Sequence, residues 1–264
     1  MFGDGLVLAP AARLEPLAAV PEPPPVLVRR LSYSGLALYD RCGYRFYAQR
    51  ILRLPERRHP RGDAQGMEGV EIGDAVHLLL ERDDARWRLR YPEATPQDEE
   101  WVRRMVESWT ASELARRVAA LDGVSRELPF AFAVEDVLFR GRFDLYHRGA
   151  DGSALVVDYK TNLLGDRDVE QIVDQSYRHQ VTIYALAALL AGAEAVEVAY
   201  AFLDRPDAVV TRRFTADSAD GLRAELARMV GEIREGRFEA TPGPQCADCP
   251  ALDLLCAGPA LVTA

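Results

Sequence analysis

The residues best suited to chemistry lie in the stretch "FRGRFDLYHRGADGSALVVDYKTN", residues 139–162. The pattern predicts two strands joined by a glycine-rich turn, and each strand carries an acid near its end, Asp144 and Asp158. Lys160 follows the second acid by two residues and is the only lysine in the chain, since every other basic residue is an arginine. A composition that nearly excludes lysine therefore keeps one amine beside a carboxylate.

Side chains alternate along a strand, so Asp158 and Lys160 share a face, and Asp144 joins them if the two strands pair as a hairpin. Two carboxylates suit a hard dication such as Mg²⁺ or Mn²⁺, which can polarise a phosphoryl oxygen and acidify a bound water. An ammonium can orient that water and stabilise developing negative charge, and it is more compact than the fork of an arginine. The alternative is an ordinary exposed ion pair at the end of a strand.

The elements that must position these residues form a predicted α/β domain with a mixed sheet flanked by helices. Residues 1–30 are rich in Ala and Pro and are predicted to be a linker or arm, and residues 31–264 form the folded domain. The first helix follows "LSYSG", with Ser34 as its predicted N-cap. Further helices are expected at about 69–90, 96–121, 168–191 and 217–235, and strands at about 126–134, 137–147, 153–161, 195–203 and 208–214.

The charge is distributed unevenly, although the net charge of −9 by itself argues against a nucleic-acid partner. Residues 29–62 hold nine arginines and two acids, so this window is +7 and the remaining chain is −16. A basic segment on an acidic body can follow a phosphate backbone, and the alternative is a solvated helix face. No apolar run is long enough for a membrane span and no signal peptide is recognisable, which predicts a cytoplasmic location.

Four cysteines, Cys42, Cys246, Cys249 and Cys256, stand at the two ends of the predicted domain. In a cytoplasmic chain they are better interpreted as metal ligands than as disulfides. Four thiolates can hold a structural zinc ion, although such sites usually bring two C-x2-C pairs and here one cysteine stands alone.

Four short motifs occur in order along the chain: "GDAVH" ending at His77, "GRFD" ending at Asp144, "DYK" at 158–160, and "QVTIY" from Gln180 to Tyr184. Taken together they resemble the motifs of PD-(D/E)XK nucleases of the RecB and AddAB type. The resemblance covers roughly residues 31–260. It implies a restriction-endonuclease-like core with a central mixed sheet, an N-terminal helical region and a Cys-rich C-terminal tail.

The resemblance also implies roles for individual residues. His77, Asp144 and Asp158 would bind the metal, Lys160 would position or activate the water, and Glu127 would occupy an acidic position before the first core strand. Gln180 and Tyr184, four residues apart on one helix face, would hold the DNA strand or the lysine. Without the resemblance, His77 is an ordinary surface or packing residue, and Gln180 and Tyr184 are a pair at the edge of the core.

For the cysteines, the resemblance implies a [4Fe–4S] cluster that ties the two ends of the domain together, with structural Zn²⁺ as the alternative. Four thiolates suit such a cluster, and closing a long loop is where a covalent clip adds most stability. The chain has "RCGY" where the family often places Pro after the first cysteine.

The function implied is a metal-dependent DNA nuclease, an exonuclease on DNA ends or single strands, acting in double-strand break repair as a domain or partner of a helicase. Arg41, Arg45 and Arg50, with neighbouring aromatics and Tyr184, would guide the strand by charge and stacking. Two alternatives are a CRISPR-associated exonuclease that trims prespacers and a nuclease-inactive DNA-binding subunit.

Overall fold

The structure of the chain is a computed structural model, and it describes residues 25–56, 66–82 and 86–259. The strands are β1 (Arg30–Leu31), β2 (Ser125–Val134), β3 (Val137–Arg148), β4 (Ser153–Lys160), β5 (Ala195–Phe202) and β6 (Val209–Thr215). The helices are α1 (Tyr33–Arg41), α2 (Gly43–Phe46), α3 (Gly69–Arg82), α4 (Trp87–Arg90), α5 (Pro96–Ala111), α6 (Glu113–Ala119), α7 (Val169–Ile172), α8 (Arg178–Leu190) and α9 (Ala219–Arg234), with π-helical turns at Tyr47–Ile51 and Val173–Tyr177.

The strands form a mixed sheet in the order β1-β3-β4-β5-β6, with β2 also paired to β3. β1 runs parallel to β3 and β4 runs parallel to β5, while the remaining pairs are antiparallel. The chain from β4 to β5 passes through α8, as a parallel crossover requires. The predicted restriction-endonuclease-like α/β fold, with its central mixed sheet between helices, is confirmed.

Strand β3 has a gap along one of its two edges. β2 occupies one edge over nearly the whole strand, from Val137 to Tyr146. On the other edge β1 pairs only at residues 138–139 and β4 only at residues 145–148. Residues 140–144 therefore lie in a fork between β1 and β4 without a described strand partner on that side.

Helices cover both faces of the sheet and bury two apolar layers. Helix α8 is almost entirely buried and packs on one face together with α1 and α9. On the other face α3, α5 and α6 pack through side chains such as Val76 and Trp109 against Val157 of β4. Full burial of each large apolar side chain is worth about 1.5–3 kcal/mol, so both layers fix the position of β4.

Several predicted boundaries differ from the structure. The predicted N-cap Ser34 is wrong, because Ser32 has the extended backbone and its Oγ accepts from Gly35 N at 3.3 Å. The predicted helix 96–121 is broken at Ser112, whose backbone is extended and whose side chain caps α6. The predicted helix 69–90 is divided into α3 and α4.

The predicted N-terminal arm falls mostly on residues 1–24, which lie outside the described residues. Residues 25–30 run along the domain: Val26 N donates to Arg234 O at 3.1 Å, and Val28 is buried in the core. Arg30 and Leu31 form β1, a strand too short for its sequence to indicate. Within the described part of the chain, no helix has the length and apolar character needed to cross a bilayer.

Candidate active site

Three carboxylates lie side by side across β2, β3 and β4. The β2–β3 register pairs Leu128 with Phe143, and one further step places Glu127 beside Asp144. The β3–β4 register pairs Leu145 with Val157, and one further step places Asp144 beside Asp158. Asp144 Oδ2 also accepts a hydrogen bond from Tyr159 N at 2.7 Å, which ties this carboxylate to β4. The row ends at the fork in β3, where the sheet is open.

His77 reaches this row from α3. Its Nδ1 lies 3.7 Å from Glu127 Oε1 and 3.7 Å from Asp144 Oδ2, and the imidazole is 30% exposed. Ligand atoms of His77, Glu127 and Asp144 all lie within 4.8 Å of one another, the one such group of three or more among the described residues. An imidazole nitrogen and two carboxylate oxygens form a suitable donor set for a divalent cation.

The backbone of Glu127 is in the left-handed region, with φ of 49° inside strand β2. A non-glycine residue held there costs on the order of 1–3 kcal/mol and persists only where its surroundings enforce it. Here the distortion coincides with the step at which Glu127 would pair with Asp144, and it aims the Glu127 carboxylate at His77. The sequence carries no signal for this strain.

The electrostatics of the row are those of crowded, partly buried carboxylates. Burial and the neighbouring charge of Asp158 raise the pKa of Asp144 to about 7. Burial lowers the pKa of His77, but the close contact with the Glu127 carboxylate and the charges of Asp144 and Asp158 outweigh it and raise that pKa to about 9. The same contact with His77 lowers the pKa of Glu127. A bound dication would relieve the repulsion between the carboxylates, so the residues present fit the metal.

Lys160 is buried at the end of β4, where its ammonium has two partners. Nζ lies 2.7 Å from Asp158 Oδ2 and donates to Gln180 Oε1 at 2.8 Å. Although burial lowers the pKa of Lys160, the charge of Asp158 and the nearby tyrosines outweigh it and raise the pKa above its ordinary value. The side chain therefore remains an ammonium at neutral pH.

The "QVTIY" residues on α8 contact both members of this pair. Gln180 Nε2 donates to Asp158 Oδ1 at 2.7 Å. The Tyr184 hydroxyl lies 3.0 Å from Asp158 Oδ1 and 2.9 Å from Arg142 O in the β3 fork. The structure therefore places Gln180 and Tyr184 against the predicted site, and both side chains are buried.

Three tyrosines surround the Lys160 ammonium, and the sequence did not indicate them. The ring centroids of Tyr177, Tyr200 and Tyr33 lie 4.0, 5.4 and 5.9 Å from Nζ. Aromatic faces attract a cation within about 6 Å of the centroid. The rings come from a π-helical turn, from β5 and from α1, and they share no spacing that a motif search could find.

The glycines of two motifs make room for packing around the site. A Cβ on Gly141 would lie only 2.4 Å from Phe130 Cζ, because the Phe130 ring covers this residue on the neighbouring strand. The Phe130 ring in turn packs edge-to-face against Tyr184, with centroids 5.8 Å apart. A Cβ on Gly73 would lie 3.0 Å from Thr161 Oγ1, so this glycine lets α3 approach the end of β4.

The four cysteines meet where the two ends of the domain join. Backbone amides donate to three of the sulfurs: Arg45 N and Thr241 N to Cys42, Gly243 N to Cys246, and Gly258 N to Cys256, at 3.4–3.5 Å. Cys249 is buried against Ala48 and Ala251.

The arginines predicted to contact nucleic acid have different surroundings. Arg41 is exposed at the end of α1. The guanidinium of Arg45 lies against the Cys-rich tail, where it donates to Gln245 O at 2.6 Å. Arg50 is exposed and lines a cavity beside β1.

A mixed α/β sheet gathers acids and an imidazole at an open fork, beside a buried ammonium, and this donor set could hold a divalent cation. The sequence profile of the PD-(D/E)XK nuclease superfamily matches residues 30–254, and the chain belongs to that superfamily.

Individual relatives are more distant. Two proteins from Bacillus cereus, strains AH820 and Q1, are named as subunits of an ATP-dependent helicase/nuclease, and each is 26% identical to the chain over 171 residues. The aligned region is 52% of this chain and 14% of those proteins, so the chain corresponds to only a small part of their length. The crystal structure of a candidate exonuclease from Eubacterium rectale superposes with a TM-score of 0.54 at 14% identity, covering 86% of this chain and 90% of that one, which supports the fold.

Proposed function

We propose that this chain is a metal-dependent deoxyribonuclease that hydrolyses phosphodiester bonds. The observation that carries the proposal is the convergence in the β3 fork of Glu127, Asp144 and His77, with the paired Asp158 and Lys160 beside them. Membership of a nuclease superfamily supports the reaction class.

His77, Glu127 and Asp144 would hold a divalent cation, and Asp158 stands next to them in the row of acids. When bound, Mg²⁺ or Mn²⁺ supplies a Lewis acid that polarises a phosphoryl oxygen and lowers the pKa of water. The set contains two of the three predicted ligands, His77 and Asp144, and adds Glu127, whose strained backbone directs its carboxylate to the imidazole. Asp158 is not in the set, and its oxygens contact Gln180, Tyr184 and Lys160 instead.

Lys160 would act as a fixed positive charge. Its raised pKa argues against proton abstraction at neutral pH and favours orienting a nucleophile and stabilising negative charge on the phosphoryl group. Gln180 and Tyr184 would keep this ammonium and Asp158 in place. Tyr33 and Tyr177, both partly exposed, would give a nucleobase a face to stack on at the same opening.

The test is cleavage of end-labelled linear single-stranded DNA with Mg²⁺, with Mn²⁺ and with EDTA. We expect cleavage by the wild type only with metal, and a loss of at least about a hundredfold in Lys160→Ala, the scale of an electrostatic contribution to catalysis. Arg116→Ala, which removes an exposed cation on α6, is the matched control and should cleave normally. A wild type that is folded and metal-loaded but inactive would contradict the proposal.

We further propose that the enzyme is an exonuclease of DNA ends that works with a helicase in double-strand break repair. The support is the similarity to proteins named helicase/nuclease subunits, which covers half of this chain. On a labelled linear duplex, stepwise shortening from an end that is stimulated by a helicase would support this role. Cleavage of a closed circular single strand would instead indicate an endonuclease.

For the cysteines we propose a [4Fe–4S] cluster with a structural role. Amide hydrogen bonds to cysteine sulfurs, as at Cys42, Cys246 and Cys256, are a common outer shell of thiolate-ligated centres. The layout of one isolated cysteine and three close together supports the cluster over a zinc ion, whose sites usually bring two C-x2-C pairs.

Metal analysis of anaerobically purified protein distinguishes the two. We expect about four irons per chain with a broad visible absorbance, and loss of both in Cys249→Ser. Lys160→Ala should keep its iron, which separates cluster loss from general damage. One zinc per chain and no visible absorbance would decide for the alternative.

A further inference from the structure

A cavity of about 490 Å³ lies beside β1, between the start of α1 and the π-helical turn Tyr47–Ile51. Among the described residues, its charged lining consists entirely of arginines and includes no acidic side chain. The five are Arg29, Arg30, Arg50, Arg53 and Arg140. All are exposed, so their guanidinium groups are accessible to a ligand.

None of these five arginines forms an ion pair with any described residue, whereas eleven other arginines in the described part of the chain each pair with a carboxylate. Elsewhere on the surface Arg88, Arg103, Arg212 and Arg228 each pair with a carboxylate. Unpaired guanidinium groups brought together repel one another, and an anion that accepts their hydrogen bonds removes this repulsion.

The cavity connects to the active site through two elements. Arg140 and Asp144 lie four residues apart in the same fork of β3, a distance of about 13 Å along the strand. Ser32 lines the cavity, and the next residue, Tyr33, places its ring 5.9 Å from the Lys160 ammonium. The arginines and the acidic row therefore lie close to one another along β3.

We propose that this arginine cleft binds the phosphate backbone of the DNA strand a few nucleotides away from the scissile bond. At the ~3.4 Å rise per nucleotide of a duplex strand, about four steps cover the interval between Arg140 and Asp144, and fewer are needed by an extended strand. Five guanidinium groups exceed what a single phosphate needs, since one guanidinium already binds a phosphate with two hydrogen bonds. The inference rests on the proposed nuclease function and adds a binding site to it.

The experiment measures binding of a fluorescein-labelled single-stranded oligonucleotide by fluorescence anisotropy in EDTA, over a series of salt concentrations. The test variant is Arg29→Gln/Arg53→Gln/Arg140→Gln. The matched control, Arg104→Gln/Arg116→Gln/Arg205→Gln, removes the same charge from exposed arginines elsewhere. We expect the cleft variant to weaken binding at least about tenfold. We also expect it to lower the slope of log K against log[salt] by about 2, because each of the three lost phosphate contacts contributes roughly 0.7. In the control variant, the changes in affinity and in salt slope should each be less than half of those in the cleft variant.

Two further measurements separate this inference from the nuclease proposal. Hydrolysis of bis(p-nitrophenyl) phosphate with Mn²⁺ involves a substrate too small to span both sites, so the cleft variant should retain the wild-type rate. Inorganic phosphate should compete only weakly with the oligonucleotide; strong competition would assign the cleft to a small anion. Equal loss of DNA binding in both triple variants, or no binding by the wild type, would overturn the inference. If the wild type does not hydrolyse either substrate, but the cleft variant still binds the oligonucleotide more weakly than the control variant, only the nuclease proposal is contradicted.

Discussion

The side-chain oxygen of Gln180 accepts a hydrogen bond from the Lys160 ammonium at 2.8 Å. The nitrogen of the same amide donates to Asp158 Oδ1 at 2.7 Å, so one side chain joins both members of the buried ion pair. An amide offers a donor nitrogen and an acceptor oxygen side by side on one flat group that carries no charge and does not titrate. The geometry therefore gives a physical reason for glutamine at the first position of "QVTIY".

Replacing this amide by an apolar group should damage both stability and activity. Gln180→Leu leaves a buried ammonium and a buried carboxylate each short of a hydrogen bond, which costs about 1–3 kcal/mol per group. We expect a lower denaturation midpoint in urea and at least a tenfold loss of DNA cleavage. Gln171→Leu on the exposed surface of α7 is the matched control and should change neither. Normal activity in Gln180→Leu would show that the lysine is positioned by other groups.

Metal affinity should increase with pH. Binding requires a neutral His77 imidazole and an ionised Asp144, whose pKa values of about 9 and about 7 mean that protons compete with the metal at neutral pH. The affinity for Mn²⁺ should therefore rise as the pH increases through 7 and again towards 9, with release of protons on binding. Calorimetry in buffers of different ionisation enthalpy measures this release.

The variant His77→Gln serves as the control for this pH dependence, because glutamine does not titrate. In this variant the rise of Mn²⁺ affinity between pH 7 and pH 9 should vanish, while the rise that belongs to Asp144 remains. An affinity that is constant between these two pKa values in the wild type would exclude His77 from the metal site, and an affinity that is constant below pH 7 in His77→Gln would exclude Asp144.

Glu127 is the ligand that the motifs alone indicate least, and a second glutamate allows a direct comparison. Glu135, at the turn between β2 and β3, also has a left-handed backbone, with φ of 51°, but is exposed and distant in register from the acidic row. Glu127→Gln should weaken Mn²⁺ binding about tenfold or more because it removes one anionic ligand. Glu135→Gln should bind as the wild type does. Equal affinities in the two variants would remove Glu127 from the metal site.

The sequence predicted the strands well, and it indicated which motif residues share a face, because both depend on short-range patterns. Asp158 and Lys160 are two residues apart on one strand, and Gln180 and Tyr184 are four apart on one helix, so local geometry fixes their shared faces. The fold class followed from the order of these elements.

The remaining features depend on tertiary contacts that have no local pattern. Tyr33, Tyr177 and Tyr200 surround Lys160 from three separate elements. The left-handed backbone of Glu127 falls at the one step where β2 and β3 leave a pair out of their register, and β1 contains only two residues. The division of the predicted helix at Ser112 reflects capping of α6 by the serine side chain, which outweighed the continuous helical pattern.

Glycine at position 141 should be required for stability as well as for the shape of the site. In Gly141→Ala the new Cβ meets the Phe130 ring at 2.4 Å, and this ring also packs against Phe143 and Tyr184, so it has little room to move. Overpacking of this kind costs about 1–3 kcal/mol. We expect a matching fall in the free energy of unfolding in urea, with reduced cleavage because Tyr184 contacts Asp158.

Gly221→Ala supplies the comparison for this prediction, since Gly221 lies inside α9 and nothing stands within 4 Å of its added Cβ. Alanine is the better helix former there, so this variant should gain up to about 1 kcal/mol of stability. Opposite signs for the two substitutions would attribute the loss at position 141 to the aromatic ring rather than to the added methyl group as such. A Gly141→Ala protein as stable as the wild type would mean that Phe130 can move aside, and that the glycine of "GRFD" is not fixed by packing.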